Sequence, residues 1–382
     1  MIYLDHAATT SVHPEVLKTM YEYEQDNLGN PSSTHAFGRK AKLFLNQSRR
    51  FLAESIQAAE TDIIFTSGGT EANNLAIIGT ALENEHNGNH IITTLQEHHA
   101  ILGVMDFLQK KGFQVTYLPV NKEGQINPYD LERSLTDNTT LVSIMMANNE
   151  TGVKQPIKEV SEILQNHQAF LHTDAVQAYG LMDIDVEDLQ VDLLTTSAHK
   201  LNGPKGIGFL YKKSDVPMQQ LQYGGYQEFV KRPGTENLTG IIGYQKAVEI
   251  ALENQASNVE RYERFKQLFI ETLKKEEIEF SINGDITKTI PTIVNVSFPN
   301  TTTEVLLTNF DLDGVAAASG SACTSGTLDP SHVLKAMYRF QDERINNSVR
   351  FSFGEENDEA NIVEAARKVA KVVKRLTNGE GR

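Results

Sequence analysis

Cysteine is nearly missing from this chain: its 382 residues include one, Cys323. A single thiol excludes an intrachain disulfide framework and fits a reducing compartment. Positive charge is scarce too. The 35 Lys and Arg are outnumbered by 50 Asp and Glu, for a net charge of −15. That balance argues against direct nucleic-acid binding, since neutralising phosphates takes concentrated basic charge. No apolar run approaches bilayer-spanning length. The first residues, MIYLDHAATT, lack the basic-then-apolar pattern of a signal peptide. Internal repeats and low-complexity linkers are absent. No metal site is expected: the adjacent His98 and His99 point apart, and no third ligand recurs at suitable spacing. The expectation is a cytoplasmic protein with no membrane partner.

What remains is an ordinary globular composition, 40% hydrophobic and 22% charged, long enough for two domains. After a short arm, a helix is expected from Pro14 to about Tyr23, with Pro in its first turn. A Gly/Pro/Ser-rich loop (Asn27 to Phe37) and a polar helix (Gly38 to Ala58) follow. Strands are then read at Ile63–Thr66, His90–Thr94, Gln114–Leu118, Leu141–Met146, Ala169–Thr173, Val191–Thr196 and Ile207–Tyr211. Helices come between them at Glu71–Leu82 and Ala100–Lys111. Such alternation implies an α/β domain with a mostly parallel sheet covered on both faces. A charge-rich helical stretch, Ile241 to Lys275, leads to a mixed segment. Its strands are expected near Thr292–Phe298, Val315–Ala318 and Val349–Phe353, and its helices near Thr303–Phe310, Ser331–Arg339 and Asp358–Leu376. The division expected is a large domain over 14–255 and a smaller α+β domain formed by 1–13 and 256–382.

Polar clusters close several of these strands, and ligands of open α/β sheets bind at such ends. Ser67-Gly68-Gly69-Thr70-Glu71 joins a strand to a helix N-terminus, a phosphate cradle without the lysine of a Walker motif. Glu97-His98-His99 offers a ring for stacking or acid–base work. Asn148-Asn149-Glu150 offers amides for an oxygen ligand. Asp174, with Gln177 after it, closes one apolar run, and Ser197-Ala198-His199-Lys200 closes another. Taken singly, each has an ordinary reading as a turn or a solvated side chain. Together they supply a phosphate site, a stacking group, an acid for a ring nitrogen and an amine for a Schiff base, which are the needs of pyridoxal phosphate. A carboxylate ~3 Å from a pyridinium contributes roughly 5 kcal/mol at an effective dielectric near 20.

Cys323 lies in Ser319-Gly320-Ser321-Ala322-Cys323-Thr324-Ser325-Gly326, among small polar residues. A buried small hydrophobe is the commoner fate of a lone cysteine. This setting instead reads as a mobile exposed loop, suited to a thiolate that carries a group between sites. Arg350, on a predicted strand, is a candidate clamp for a substrate carboxylate. Asn30 and Arg232-Pro233-Gly234-Thr235 are loop residues whose roles spacing does not assign.

Over essentially its whole length the chain resembles cysteine desulfurases of the NifS/IscS type, in the class V aminotransferase group. The resemblance is carried by YLDHAATT at Tyr3–Thr10, GNPSS at Gly29–Ser33, TSGGTEANN at Thr66–Asn74 and Glu97-His98. It continues through Asn148–Glu150, TDAVQ at Thr173–Gln177, SAHK at Ser197–Lys200, RPGTEN at Arg232–Asn237 and SGSACTS at Ser319–Ser325. The last motif points to the long-loop desulfurases. The implied fold is that of the fold type I pyridoxal-phosphate transferases. By the same resemblance Lys200 carries the cofactor as a Schiff base, His98 stacks on its ring, Asp174 pairs with the pyridine nitrogen and Gln177 with the phenolic oxygen. Gly69, Thr70, Ser197 and His199 hold the phosphate, joined by Thr235 of a partner subunit, which implies a homodimer. Asn30, Asn149 and Arg350 match positions around the substrate carboxylate. Many relatives have an aromatic residue soon after the lysine, whereas Leu201-Asn202-Gly203 stands here.

The activity implied is release of L-alanine from L-cysteine, its sulfur leaving as a persulfide on Cys323 for an acceptor protein, either an iron–sulfur scaffold or a tRNA-thiolating enzyme. On the same fold, an aminotransferase or selenocysteine lyase would give keto acids or prefer selenocysteine. A binding protein that had lost turnover would not be expected to keep Lys200, Asp174 and Cys323 together. A hydrolase built on Cys323 and His98 lacks an orienting acid and an oxyanion motif.

Overall fold

Ile63-Ile64-Phe65-Thr66 and His90-Ile91-Ile92-Thr93-Thr94 are buried along their whole length, as strands covered on both faces must be. The computed structural model describes residues 1–320, 330–338 and 342–378. After the arm strand β1 (Ile2–Tyr3) come β2 (Ile63–Thr66), β3 (His90–Thr94), β4 (Gln114–Leu118), β5 (Thr139–Ser143), β6 (Phe170–Asp174), β7 (Leu193–Thr195) and β8 (Gly208–Lys212). The last seven form one sheet, in the order β2-β8-β7-β6-β5-β3-β4. β3 to β7 are parallel, and β8 runs antiparallel to both its neighbours. The mostly parallel α/β sheet expected from the sequence is therefore present, with β8 as its reversed strand. On one face, helices Gly69–Glu83 and His99–Lys110 bury Leu75, Ile101, Met105 and Leu108. On the other, helices Ala36–Glu54 and Leu238–Glu253 bury Leu45, Leu52, Ile241 and Tyr244.

A second sheet is built from β9 (Ser281–Ile282), β10 (Ile293–Ser297) and β12 (Ser348–Ser352), antiparallel in the order β12-β10-β9. The short β11 (Val315–Ala316) pairs instead with β1. Phe269, Phe298, Phe310 and Phe351 form the apolar cluster here, under helices Gln255–Lys275 and Glu359–Thr377, and the arm contributes Leu4 to it.

Several elements differ from expectation. The stretch Ile241 to Lys275 is two helices, Leu238–Glu253 and Gln255–Lys275, separated at Asn254. There the Asn side chain donates to Ile250 O at 2.9 Å and caps the first helix. In the run Leu141–Met146 pairing with β3 stops short: Met145 N donates to the Glu97 carboxyl oxygens, each at 3.1 Å, while Ile144 N and Met146 N still donate to His172 O and Asp174 O of β6 at 3.1 and 2.9 Å. Helices Pro128–Ser134 and Ile157–Leu164 lie between strands that the sequence reading joins directly. Among the described residues no helix is long and apolar enough to cross a membrane.

Candidate active site

The turn after β2 is the first wall of the site. Gly68 has φ +141° and ψ −175°, backbone that side-chain-bearing residues rarely adopt. It lets helix Gly69–Glu83 start directly behind the strand, and a Cβ on Gly69 would sit 3.0 Å from Val176 Cγ2. The helix N-terminus, with its free N–H groups, thus opens onto a cavity of about 330 Å³ lined by Gly68, Gly69, Thr70, Ser197, His199 and Lys205. His199 Nδ1 is hydrogen-bonded to Thr9 Oγ1 at 3.1 Å. Burial, then the charges of Lys200 and Lys205, lower the His199 pKa to about 4, so the imidazole is neutral at pH 7. Glu71 would oppose an anion here. Its carboxylate instead accepts from Ser67 N at 2.6 Å and pairs with Arg232 Nε at 2.9 Å. Burial pushes its pKa up, but hydrogen bonds from Arg232 and Ser67 outweigh this and hold it below the usual range.

The second wall is made by the ends of β3, β6 and β7. Asp174 closes β6 and is buried; Oδ2 accepts from Asn73 Nδ2 at 2.7 Å and Oδ1 from Val176 N at 3.0 Å. Both oxygens are fixed in place by donors. Lys200 ends the 3₁₀ turn Ala198–Lys200 that follows β7. Its Nζ donates to Ala8 O at 2.8 Å and to Ala7 O, while Gln177 Nε2 donates to the same Ala7 O at 3.0 Å. His6, Ala7, Gln177 and Lys200 line a second cavity, of about 260 Å³. His98 is the N-cap of helix His99–Lys110: its Nδ1 accepts from Ala100 N at 3.1 Å, which assigns the ring proton to Nε2. Burial lowers the His98 pKa, against the pull of Asp174 and with the push of Lys200. Beside it Glu97 is fully enclosed, and burial raises its pKa to about 8.

A third group faces these from the second sheet. Arg350, on β12, donates from Nη1 to Asn149 O at 2.9 Å and from Nη2 to Asp5 Oδ1 at 2.6 Å. It is buried, and its Nε has no hydrogen-bond partner among the described residues. A planar cation held from two sides is pre-set for a carboxylate.

Of the residues singled out in the sequence, Gly69, Thr70, Ser197 and His199 share the first cavity, and Gln177 and Lys200 share the second. Asn149 meets Arg350. Asn30 and Thr235 are exposed and line neither cavity. Asn30 Oδ1 caps its own loop by accepting from Ser32 N at 2.9 Å. Cys323 lies outside the described residues. Sequence reasoning missed Asn73, the Glu71–Arg232 pair and Thr9. Asn73 had a local signal, an amide inside a helix where Asn is intrinsically poor. The other two join segments far apart in the chain and had none.

The Leu201-Asn202-Gly203 departure has a structural account. Asn202 has φ +60°, which Asn tolerates better than most residues. Its backbone N donates to Thr10 Oγ1 at 2.8 Å and its Nδ2 donates to Ser11 O at 3.0 Å, fastening the arm beside Lys200.

These donors fit pyridoxal phosphate. A backbone-rich cradle with Lys205 in its lining suits the phosphate, the fixed Asp174 carboxylate suits a protonated ring nitrogen, and the Lys200 amine stands on the turn after the next strand. Among the described residues no cluster of His, Cys, Asp and Glu is suited to a metal.

Comparison with known proteins agrees. Residues 2–364 match the family Aminotransferase class-V. IscS 1 of Bacillus subtilis is 48% identical over 376 residues, 98% of this chain and 99% of that protein. The cysteine desulfurase IscS of Clostridium botulinum is 44% identical, covering 98% of this chain and 94% of its own. A solved NifS-like protein superposes with a TM-score of 0.91 at 34% identity, over 98% of this chain and 99% of that one. With sheet, strand-end donors and near-complete coverage in agreement, the chain belongs to the class V aminotransferase family, among its cysteine desulfurases of the NifS/IscS type.

Proposed function

We propose that this pyridoxal-phosphate enzyme takes sulfur from free L-cysteine as a persulfide on Cys323 and hands it to an acceptor protein of iron–sulfur assembly or tRNA thiolation. The observation that carries the reading is that the cradle, Asp174 and Lys200 follow β2, β6 and β7, three strands that run the same way in one sheet and so end on the same side of it. When bound, the cofactor supplies an electron sink that weakens bonds to the amino acid's Cα.

The chain's own residues do the rest. Gly69, Thr70, Ser197 and His199 hold the phosphate; Asp174 holds the proton on the ring nitrogen. His98, its Nδ1 engaged by Ala100 N, presents a neutral plate to the ring. Arg350 and Asn149 bind the substrate carboxylate, with Asn30 beside them. Lys200 Nζ, once displaced, takes up the Cα proton and later returns one. Cys323 as thiolate attacks the substrate sulfur: the Cys323 S–S bond forms, the substrate C–S bond breaks, and its electron pair stays with the carbon fragment. That fragment takes a proton and leaves as L-alanine, so L-cysteine and the Cys323 thiol become L-alanine and the Cys323 persulfide. Thr235, exposed on a single chain, fits a homodimer in which it completes the phosphate site of the other subunit. The charge and the single thiol fit a cytoplasmic setting.

The test is Cys323→Ala with cysteine as substrate. Sulfide release is expected to collapse while the visible absorbance of the tethered cofactor persists. Undiminished sulfide release would reject Cys323 as the carrier, and incubation of the persulfide form with each acceptor class identifies the recipient.

A further inference from the structure

Glu150 has no role in the chemistry above, yet it is completely buried. Asn148 makes it so: its Oδ1 accepts from the backbone N of Glu150 and of Thr151, each at 2.9 Å, turning the chain tightly after Asn149. Asn295 on β10 adds a hydrogen bond to Glu150 O at 3.1 Å. The carboxyl points at two places that are far apart in the chain. Oε2 accepts from Ser331 Oγ at 2.5 Å, and Ser331 Oγ in turn accepts from Leu334 N at 3.1 Å, as N-cap of helix His332–Met337. The same carboxyl packs against Gly320, where any Cβ would overlap it. Oε1 has no hydrogen-bond partner among the described residues and stands 4.0 Å from His332 Nδ1. Gly320 and Ser331 are the chain on either side of the Cys323 segment.

The surroundings tie this point to the rest of the site. Ala318 and Arg350 exchange backbone hydrogen bonds of 3.2 and 2.7 Å, so the strand that carries the guanidinium also carries the approach to Gly320. His332 Nε2 is 2.9 Å from Glu97 O, the residue before His98. A buried acid is costly unless its geometry is used, and here it lies where both flanks meet the strand end bearing Asn149.

We propose that Glu150 is a positioning residue for sulfur transfer: it fixes both flanks of the Cys323 segment to the strand end that binds substrate. The inference rests on the Cys323 persulfide reading above. It separates two steps, because exchange of the Cα proton needs the cofactor and Lys200 but no thiol, whereas persulfide formation needs Cys323 in register.

The experiment compares the holoenzyme with Glu150→Ala, Glu150→Gln and Ser331→Ala. Deuterium uptake at Cα of L-alanine is followed by NMR, and persulfide on Cys323 by mass spectrometry in a single turnover. In Glu150→Ala, Cα exchange is expected to match wild type while persulfide formation falls roughly 10²-fold, the cost of about 1 Å of misplacement. Glu150→Gln, which still accepts from Ser331, is expected to recover most of the rate. Amide exchange near Gly320 and Ser331 should quicken in the Ala variant and not elsewhere. Should Glu150→Ala fail to fold, Ser331→Ala removes the same contact from the other side and must give the same split. Equal losses in both steps, or unaltered persulfide formation, would overturn the positioning role and leave the function intact. Wild-type protein that exchanges Cα protons but never forms a persulfide on Cys323 would overturn the function and this role with it.

Discussion

The two ends of the site prepare for negative charge by different means. At the cradle, backbone N–H groups, Ser197, a neutral His199 and the exposed Lys205 line the cavity, and the nearby acid Glu71 is occupied by Arg232. At the other end a single guanidinium, Arg350, is braced by Asp5 and Asn149 O. Several fixed donors beside one lysine suit a ligand that stays, since the fixed ones lose little freedom on binding. One strong, pre-paired cation suits a ligand that must come and go, because Asp5 keeps it satisfied between turnovers.

Substitutions can break that contrast. Lys200→Ala should have the largest effect: desulfuration falls below ~10⁻³ of wild type and covalent cofactor disappears from the mass spectrum, whichever end is intact. Next, Arg350→Ala should lower kcat/KM for cysteine by roughly 10–100-fold, the worth of hydrogen bonds to a charged group, with cofactor absorbance unaltered. Arg350→Lys, a point charge without the fork, should recover only part of it. At the cradle the signature reverses. Gly68→Ala puts a side chain at φ +141° and should weaken cofactor affinity about tenfold, measured by titration, with KM for cysteine little moved once the cofactor is saturating. If both variants raised KM alike, the division of labour would be wrong.

The smallest effect concerns pH. Glu97 is protonated in the fold up to about pH 8 but ionises near 4.5 when unfolded. Between those values the native state binds the extra proton, so this group's contribution to stability falls as pH rises. Denaturant titrations of wild type and Glu97→Gln should therefore differ by an amount that changes from pH 4.5 to 8 and levels off above. His199, lowered to about 4, works in the opposite direction up to its unfolded pKa, and the difference between the two proteins cancels it.

What the sequence made legible follows from distance along the chain. The β strands and the polar residues that close them were readable because a strand and its terminal turn are contiguous; Asp174 ends β6, and Lys200 ends the turn that follows β7. Helix Ile157–Leu164 buries Ile157, Val160 and Leu164, but eight residues are too few for that spacing to stand out. At Pro128, Asn127 Oδ1 caps a short helix by accepting from Tyr129 N at 3.1 Å, where Asn-Pro reads equally well as a turn. Glu71 and Arg232 are 161 positions apart, and nothing local to either announces the other. Asn254 separates two helices through one side-chain hydrogen bond, a choice periodicity does not register.

The N-terminal arm has a consequence for how the polypeptide matures. Lys200 donates to Ala7 O and Ala8 O, Asn202 grips Thr10 and Ser11, and Ala7 N reaches Ser352 Oγ, 345 positions away. The arm thus finds a lasting neighbour only after 345 further residues have been made. Long-range closure of this kind is slow, so the catalytic lysine should reach its final setting only once Ser352 is available to the arm, and cofactor uptake belongs after that point.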